Sequence, residues 1–155
     1  MPLAAVTCAL GAWAAAVAGC DLLRRRVPNA LIALLLAPAL LALAVSGRGL
    51  LEISPLQSFV GLFAAGLPML PGYALGQLGA GDVKFAASLG FLVGGPAAVE
   101  LLLIGSLLLG LASAAVWLLR RTALVSVPQR IPATPAFAAA FGVQLAFGRL
   151  LNLGF

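Results

Sequence analysis

Histidine is absent from this chain of 155 residues, cysteine occurs only twice and acidic residues only four times. Without histidine there is little from which to build a zinc or iron site, and Cys8 and Cys20 do not show metal-type spacing. Both lie in one apolar run, where ~18 Å of helical rise would separate them, too far for an internal disulfide. Charge is equally scarce. Charged residues make up 8% of the chain against 63% hydrophobic, with mean hydropathy +1.17. A soluble domain of this size could not hide so much apolar surface, so the bilayer must be its solvent. The net charge of +5 does not point to nucleic acid, because the arginines sit in short clusters between apolar runs. Cytoplasmic loop anchors have that pattern.

What is present is a series of apolar runs. Leu3 to Cys20 carries no charge and is long enough to span a bilayer. Val17-Ala18-Gly19-Cys20 has the form of a lipoprotein cleavage box. However, no basic residue precedes it, and Arg24, Arg25 and Arg26 follow it and hold that end in the cytoplasm. Asp21 ends the run, and Leu22 to Asn29 reads as a basic loop closed by Pro28-Asn29. A second helix is expected from Asn29 to Val45, with Pro38 as a kink. Ser46 to Ser54 is a polar link in which Arg48 and Glu52 balance.

A third run covers Leu56 to Leu70 and is broken by Pro68, Pro71 and Gly72. Tyr73 to Gly81 is uncharged and glycine-rich, a composition suited to irregular backbone covered by protein or facing a cavity. Asp82 to Val93 predicts a fourth helix, stopped by Gly94-Gly95-Pro96. Its rise of about 18 Å falls short of the roughly 30 Å hydrocarbon core, which would sink Asp82 below the membrane surface. A fifth helix is expected from Ala97 to Leu119, a polar loop from Thr122 to Pro135, and a sixth helix from Ala136 to Leu153. The fold class expected is therefore an all-α polytopic membrane protein, a single domain over 1–155 with six transmembrane helices.

Orientation follows from the basic residues. Arg24, Arg25, Arg26, Lys84, Arg120, Arg121 and Arg130 fall on one side of a six-span arrangement, and Arg48 and Arg149 on the other. That bias places both termini outside and brings Asp21 and Asp82 to the cytoplasmic side. Glu52 lies in an outer loop where Arg48 can pair with it. Glu100 is read as an acid in the first turn of the fifth span, where it complements the helix dipole. Taken singly, Asp21 is accounted for as a partner of Arg24 or Arg25. Asp82 is likewise accounted for as an N-cap, with Lys84 as a snorkelling anchor. As a pair they suggest more. Two carboxyls at one site can share a proton, one acting as base on water while the other donates to a carbonyl. Gly79 and Gly81, lacking side chains, would let an extended backbone approach Asp82.

Gly79-Ala80-Gly81-Asp82-Val83-Lys84 resembles the G-x-G-D-[VI]-K signature of type IV prepilin peptidases, which are membrane-embedded aspartic proteases. Asp21 followed by Arg26-Val27-Pro28-Asn29 is similar to the family's other motif, an acid shortly before a basic-apolar-Pro-Asn turn. In Arg130-Ile131-Pro132 to Pro135 the family often has glycine where this chain has Thr134, and no role is assigned to that stretch. The resemblance covers the six-span core, hence nearly all of the chain. It implies that Asp21 and Asp82 are the catalytic pair, supported by Gly79, Gly81, Lys84, Pro28 and Asn29, with no metal and no cofactor. It also implies a multi-pass protein of the bacterial inner membrane with its active site toward the cytoplasm. Its partners would be prepilin or pseudopilin precursors and membrane lipid. Larger members carry Cys-x-x-Cys motifs in an added N-terminal region and methylate the new terminus; leader cleavage without methylation is expected here. Two other readings compete: a small proton- or ion-coupled transporter, and a noncatalytic pilus-assembly subunit.

Overall fold

The structure, a computed structural model, describes residues 3–24, 27–121 and 133–148. Its described residues form helices and connecting turns, with no strand among them. Three helices are long and apolar enough to cross a membrane. They lie within α1 (Leu3–Arg24), α2 (Asn29–Ser46) and α6 (Gly95–Arg121). The others are α3 (Pro55–Gly66), α4 (Leu70–Ala74), α5 (Ala80–Val93) and α7 (Thr134–Phe147), the last a shorter apolar helix.

Local sequence explains the boundaries. Ser54 opens α3 by accepting the Gln57 N–H at 3.4 Å, and Pro55 takes the first turn, where its missing N–H costs nothing. The same apolar run cannot continue as one straight helix through Pro68 and Pro71. It narrows to a 3₁₀ turn at Leu67–Met69 and resumes as α4. Gly47 stops α2 with φ 68°, a conformation that favours glycine. In the link that follows, Arg48 and Glu52 pair at 3.5 Å on the surface.

Several expected boundaries shift. α1 does not stop at Cys20; it carries Asp21 in its last turn and runs to Arg24. α4 and the turn after it organise most of what reads as irregular backbone between Tyr73 and Gly81. α5 starts at Ala80, because extended Gly79 serves as its N-cap, so Asp82 is the third helical residue rather than the cap. α6 starts at Gly95, which moves Glu100 beyond the first turn where an acid complements the helix dipole, and Glu100 is fully buried. α7 starts at Thr134 and ends at Phe147, followed by Gly148 at φ 72°; the rest of the helix expected to Leu153 lies outside the described residues. The rest of the loop expected from Thr122 lies outside the described residues up to Ala133.

The centre of the bundle is α5. α3, α6, α2, α7 and α4 all pack on it, and Phe85, Ala86, Ser88, Leu89, Gly90, Phe91 and Leu92 are buried on every side of its axis. A helix enclosed by protein has no need to match the bilayer, which accounts for its 14 residues. α6 is the opposite case. Leu103, Leu107, Leu111 and Leu118 are more than half exposed, as lipid-facing side chains are in a chain whose solvent is hydrocarbon. Where α3 crosses α5, a Cβ on Gly61 would fall on the Gly90 carbonyl, and one on Gly90 on the Gly61 carbonyl. In a bilayer, helix association depends on such close backbone approach because apolar burial gives no net drive.

Candidate active site

One face of α1 explains where Asp21 points. Leu10, Ala14, Val17 and Asp21 recur at alternating steps of four and three, and all four are buried, whereas Leu22 and Leu23 beside Asp21 are exposed. The helical stripe that builds the core thus ends on a carboxyl. Asp21 is 6% exposed, and its Oδ2 has no hydrogen-bond partner among the described residues.

Asp82 reaches the same place from the other side. Its Oδ2 accepts the Gly79 N–H at 3.2 Å, half of a capping box, since glycine has no side chain to return the bond. Its Oδ1 accepts from the Thr134 N–H at 3.1 Å and from the Thr134 hydroxyl at 2.6 Å. The carboxyl therefore sits between the N-termini of α5 and α7, where unpaired N–H groups and the helix dipoles favour negative charge. Asp21 lies beside Thr134 and within electrostatic reach of Asp82. Thr134 itself is fully buried.

The remaining expected residues frame these two. Lys84 donates from Nζ to Oδ1 of Asn29 at 3.1 Å and so ties α5 to the first residue of α2. Pro28 is the N-cap of α2, with its carbonyl accepting the Leu31 N–H. Gly81 makes room for Val27, whose Cβ would stand 2.8 Å from a Cβ at Gly81. The missing side chain there seats the α1–α2 link. A Cβ on Gly79 would stand 3.2 Å from Oδ2 of Asp82. A cavity of about 370 Å³ is lined by Asp21, Val27, Asn29, Gly79, Ala80, Gly81, Asp82 and Lys84. Every expected site residue except Pro28 borders it.

Among the described residues, no group of three or more His, Cys, Asp and Glu side chains stands close enough to hold a metal ion. What the cavity offers is two carboxyls from helices far apart in sequence, one with three donors and one with an open oxygen. That arrangement can hold and polarise a water molecule.

The model of the type IV leader peptidase family matches residues 8–115, more than half of the chain and inclusive of both aspartates. This chain belongs to the type IV leader peptidase family. No curated protein and no solved structure matches it. Membership in the leader peptidase family supports a peptidase function in a membrane protein, with prepilin-like substrates. The family match ends before Thr134, a residue at the site to which the sequence reading assigned no role. Its signal was Pro135: proline is at home in the first turn of a helix, so Thr134 marks a helix start rather than a loop.

Proposed function

We propose that this chain is a six-span leader peptidase of the bacterial inner membrane, with both termini outside. It would cut prepilin-like precursors at the cytoplasmic edge, using Asp21 and Asp82 as its catalytic pair. The observation that carries the reading is the shared cavity. Asp21 from the last turn of α1 and Asp82 from the first turn of α5 border the same 370 Å³ space. The apolar exteriors of α1, α2 and α6, and the family match, agree with it.

In this reading one carboxylate takes a proton from water while the protonated partner donates to the oxygen of the scissile carbonyl. The water oxygen bonds to the carbonyl carbon, and the resulting diol collapses with cleavage of the C–N bond and proton return to the departing amine. A precursor whose apolar helix lies in the bilayer presents its boundary at the level of the pair. The test is co-expression of the chain with a prepilin carrying a short basic leader and glycine before the cut. Asp21→Asn and Asp82→Asn should each abolish leader removal while the protein still accumulates in the membrane. Full cleavage by either variant would refute the proposed pair, and proton-coupled uptake without cleavage would favour a transporter.

A further inference from the structure

Thr134 is bonded to Asp82 and lies beside Asp21, and its chemistry treats the two carboxyls differently. A threonine hydroxyl has one proton to donate and two lone pairs with which to accept. The 2.6 Å separation from Oδ1 of Asp82 is that of an O–H donor on a carboxylate, and the Thr134 N–H reinforces it at 3.1 Å on the same oxygen. With its only proton committed there, the hydroxyl oxygen can meet its other neighbour, Asp21, only as an acceptor. A hydrogen bond between them then needs the proton to come from Asp21. The surroundings agree with that order. Asp82 collects a third donor from Gly79, whereas Oδ2 of Asp21 is buried with no donor among the described residues.

On the reading that the two aspartates are the catalytic pair, we propose that Thr134 is a positioning residue that divides their labour. Its hydroxyl accepts from protonated Asp21 and donates to the carboxylate of Asp82. Asp82 then takes the proton of the attacking water, and the Asp21 proton passes to the carbonyl oxygen of the substrate. On collapse Asp82 returns its proton to the leaving amine and Asp21 recovers one from the diol, which restores the starting state. Lys84 on α5 and the neutral Asn29 on α2 border the same cavity, and α7 carries no ionisable side chain between Thr134 and Phe147. The polarity of the pair is thus set by a hydroxyl rather than by a neighbouring charge from α7.

The experiment compares wild-type protein, Thr134→Val, Thr134→Ser and Asp82→Asn in membranes. The substrate is a synthetic precursor with a basic leader, glycine before the cut and an apolar helix after it. Val keeps the shape and removes the hydroxyl. It should lower kcat about 10- to 100-fold, the scale of a lost hydrogen bond to a charged group. KM should stay within about twofold, since the bond acts on the reacting groups rather than on substrate binding. The pH–rate bell should also narrow, because the hydroxyl bridges both members of the pair; a merely structural defect lowers the bell without narrowing it. Ser should restore both height and width. If Val does not accumulate, Thr134→Ala, which adds no bulk, replaces it. Wild-type kcat and bell width in the Val or Ala variant, or a Ser variant as poor as Val, would overturn the proposal. Cleavage by Asp82→Asn would instead overturn the catalytic-pair reading on which it rests.

Discussion

Replacing Gly90 with alanine tests the packing that holds α5 in place. The added Cβ would lie on the Gly61 carbonyl and 2.6 Å from the Ala65 Cβ, so α3 and α5 must separate by roughly 1 Å to restore ordinary contact. Overpacking of this kind costs about 1–3 kcal/mol. At roughly 2–4 °C per kcal/mol for a chain of this size, the loss in Tm is about 2–12 °C, measured by thermal unfolding in detergent. Gly110 supplies the control, because a Cβ there meets nothing within 4 Å. Gly110→Ala should be neutral or raise stability by about 0.5–1 kcal/mol through helix propensity alone. The displacement also reaches the site. Gly90 and Asp82 are on one rigid helix about 12 Å apart along its axis, so leader cleavage should fall with the Tm. A Gly90→Ala protein that melts and cleaves like wild type would refute the close crossing and the role of α5 as the fixed centre.

Other predictions concern the rim of the cavity and the outer helices. Gly81→Ala pushes a Cβ to 2.8 Å from the Val27 Cβ and should displace the α1–α2 link, lowering cleavage more than it lowers Tm; equal cleavage would sink the assignment. Lys84→Met and Asn29→Ala each remove one end of the 3.1 Å bond between α5 and α2. In a double-mutant cycle their effects on cleavage should therefore be less than additive, and strict additivity would show that the bond does not couple them. Trp13 donates its ring N–H to the Leu31 carbonyl at 2.7 Å and stacks on Phe85 at 5.5 Å. Trp13→Phe keeps the ring and should cost about 0.6 kcal/mol, and no more than about 1.7, read as a drop in unfolding midpoint.

The aspartate pair was legible because acids are scarce and apolar runs are easy to count. Parity of the spans alone put Asp21 and Asp82 on one side, and the two motifs named them. The direction of Asp21 was not legible, because the first helix is apolar all round and its buried Leu10, Ala14, Val17 stripe shows only in the structure. The rest was hidden for identifiable physical reasons. Gly61 and Gly90 leave no mark on a hydropathy profile, because their contribution is the side chain they lack. Glu100 follows Pro96 and reads as a first-turn acid, but α6 starts one residue before that proline, and the acid turns inward. Thr134 looks like loop until Pro135 is taken as part of a helix. Three of the expected spans correspond to helices of membrane-crossing length, and the break in the third run and the shortness of α5 were legible in Pro68, Pro71 and the Gly94-Gly95-Pro96 stop, whereas the enclosure of α5 by its neighbours was not.

Enclosure has a further result for the two carboxyls. Asp82 rides on a helix wrapped by five neighbours, whereas Asp21 rides on one whose outer side, at Leu22 and Leu23, is open to the surroundings. Lipid of a different thickness acts on α1 through that open face, by tilt or vertical shift, and has little purchase on α5. A change in bilayer thickness is therefore expected to move Asp21 more than Asp82.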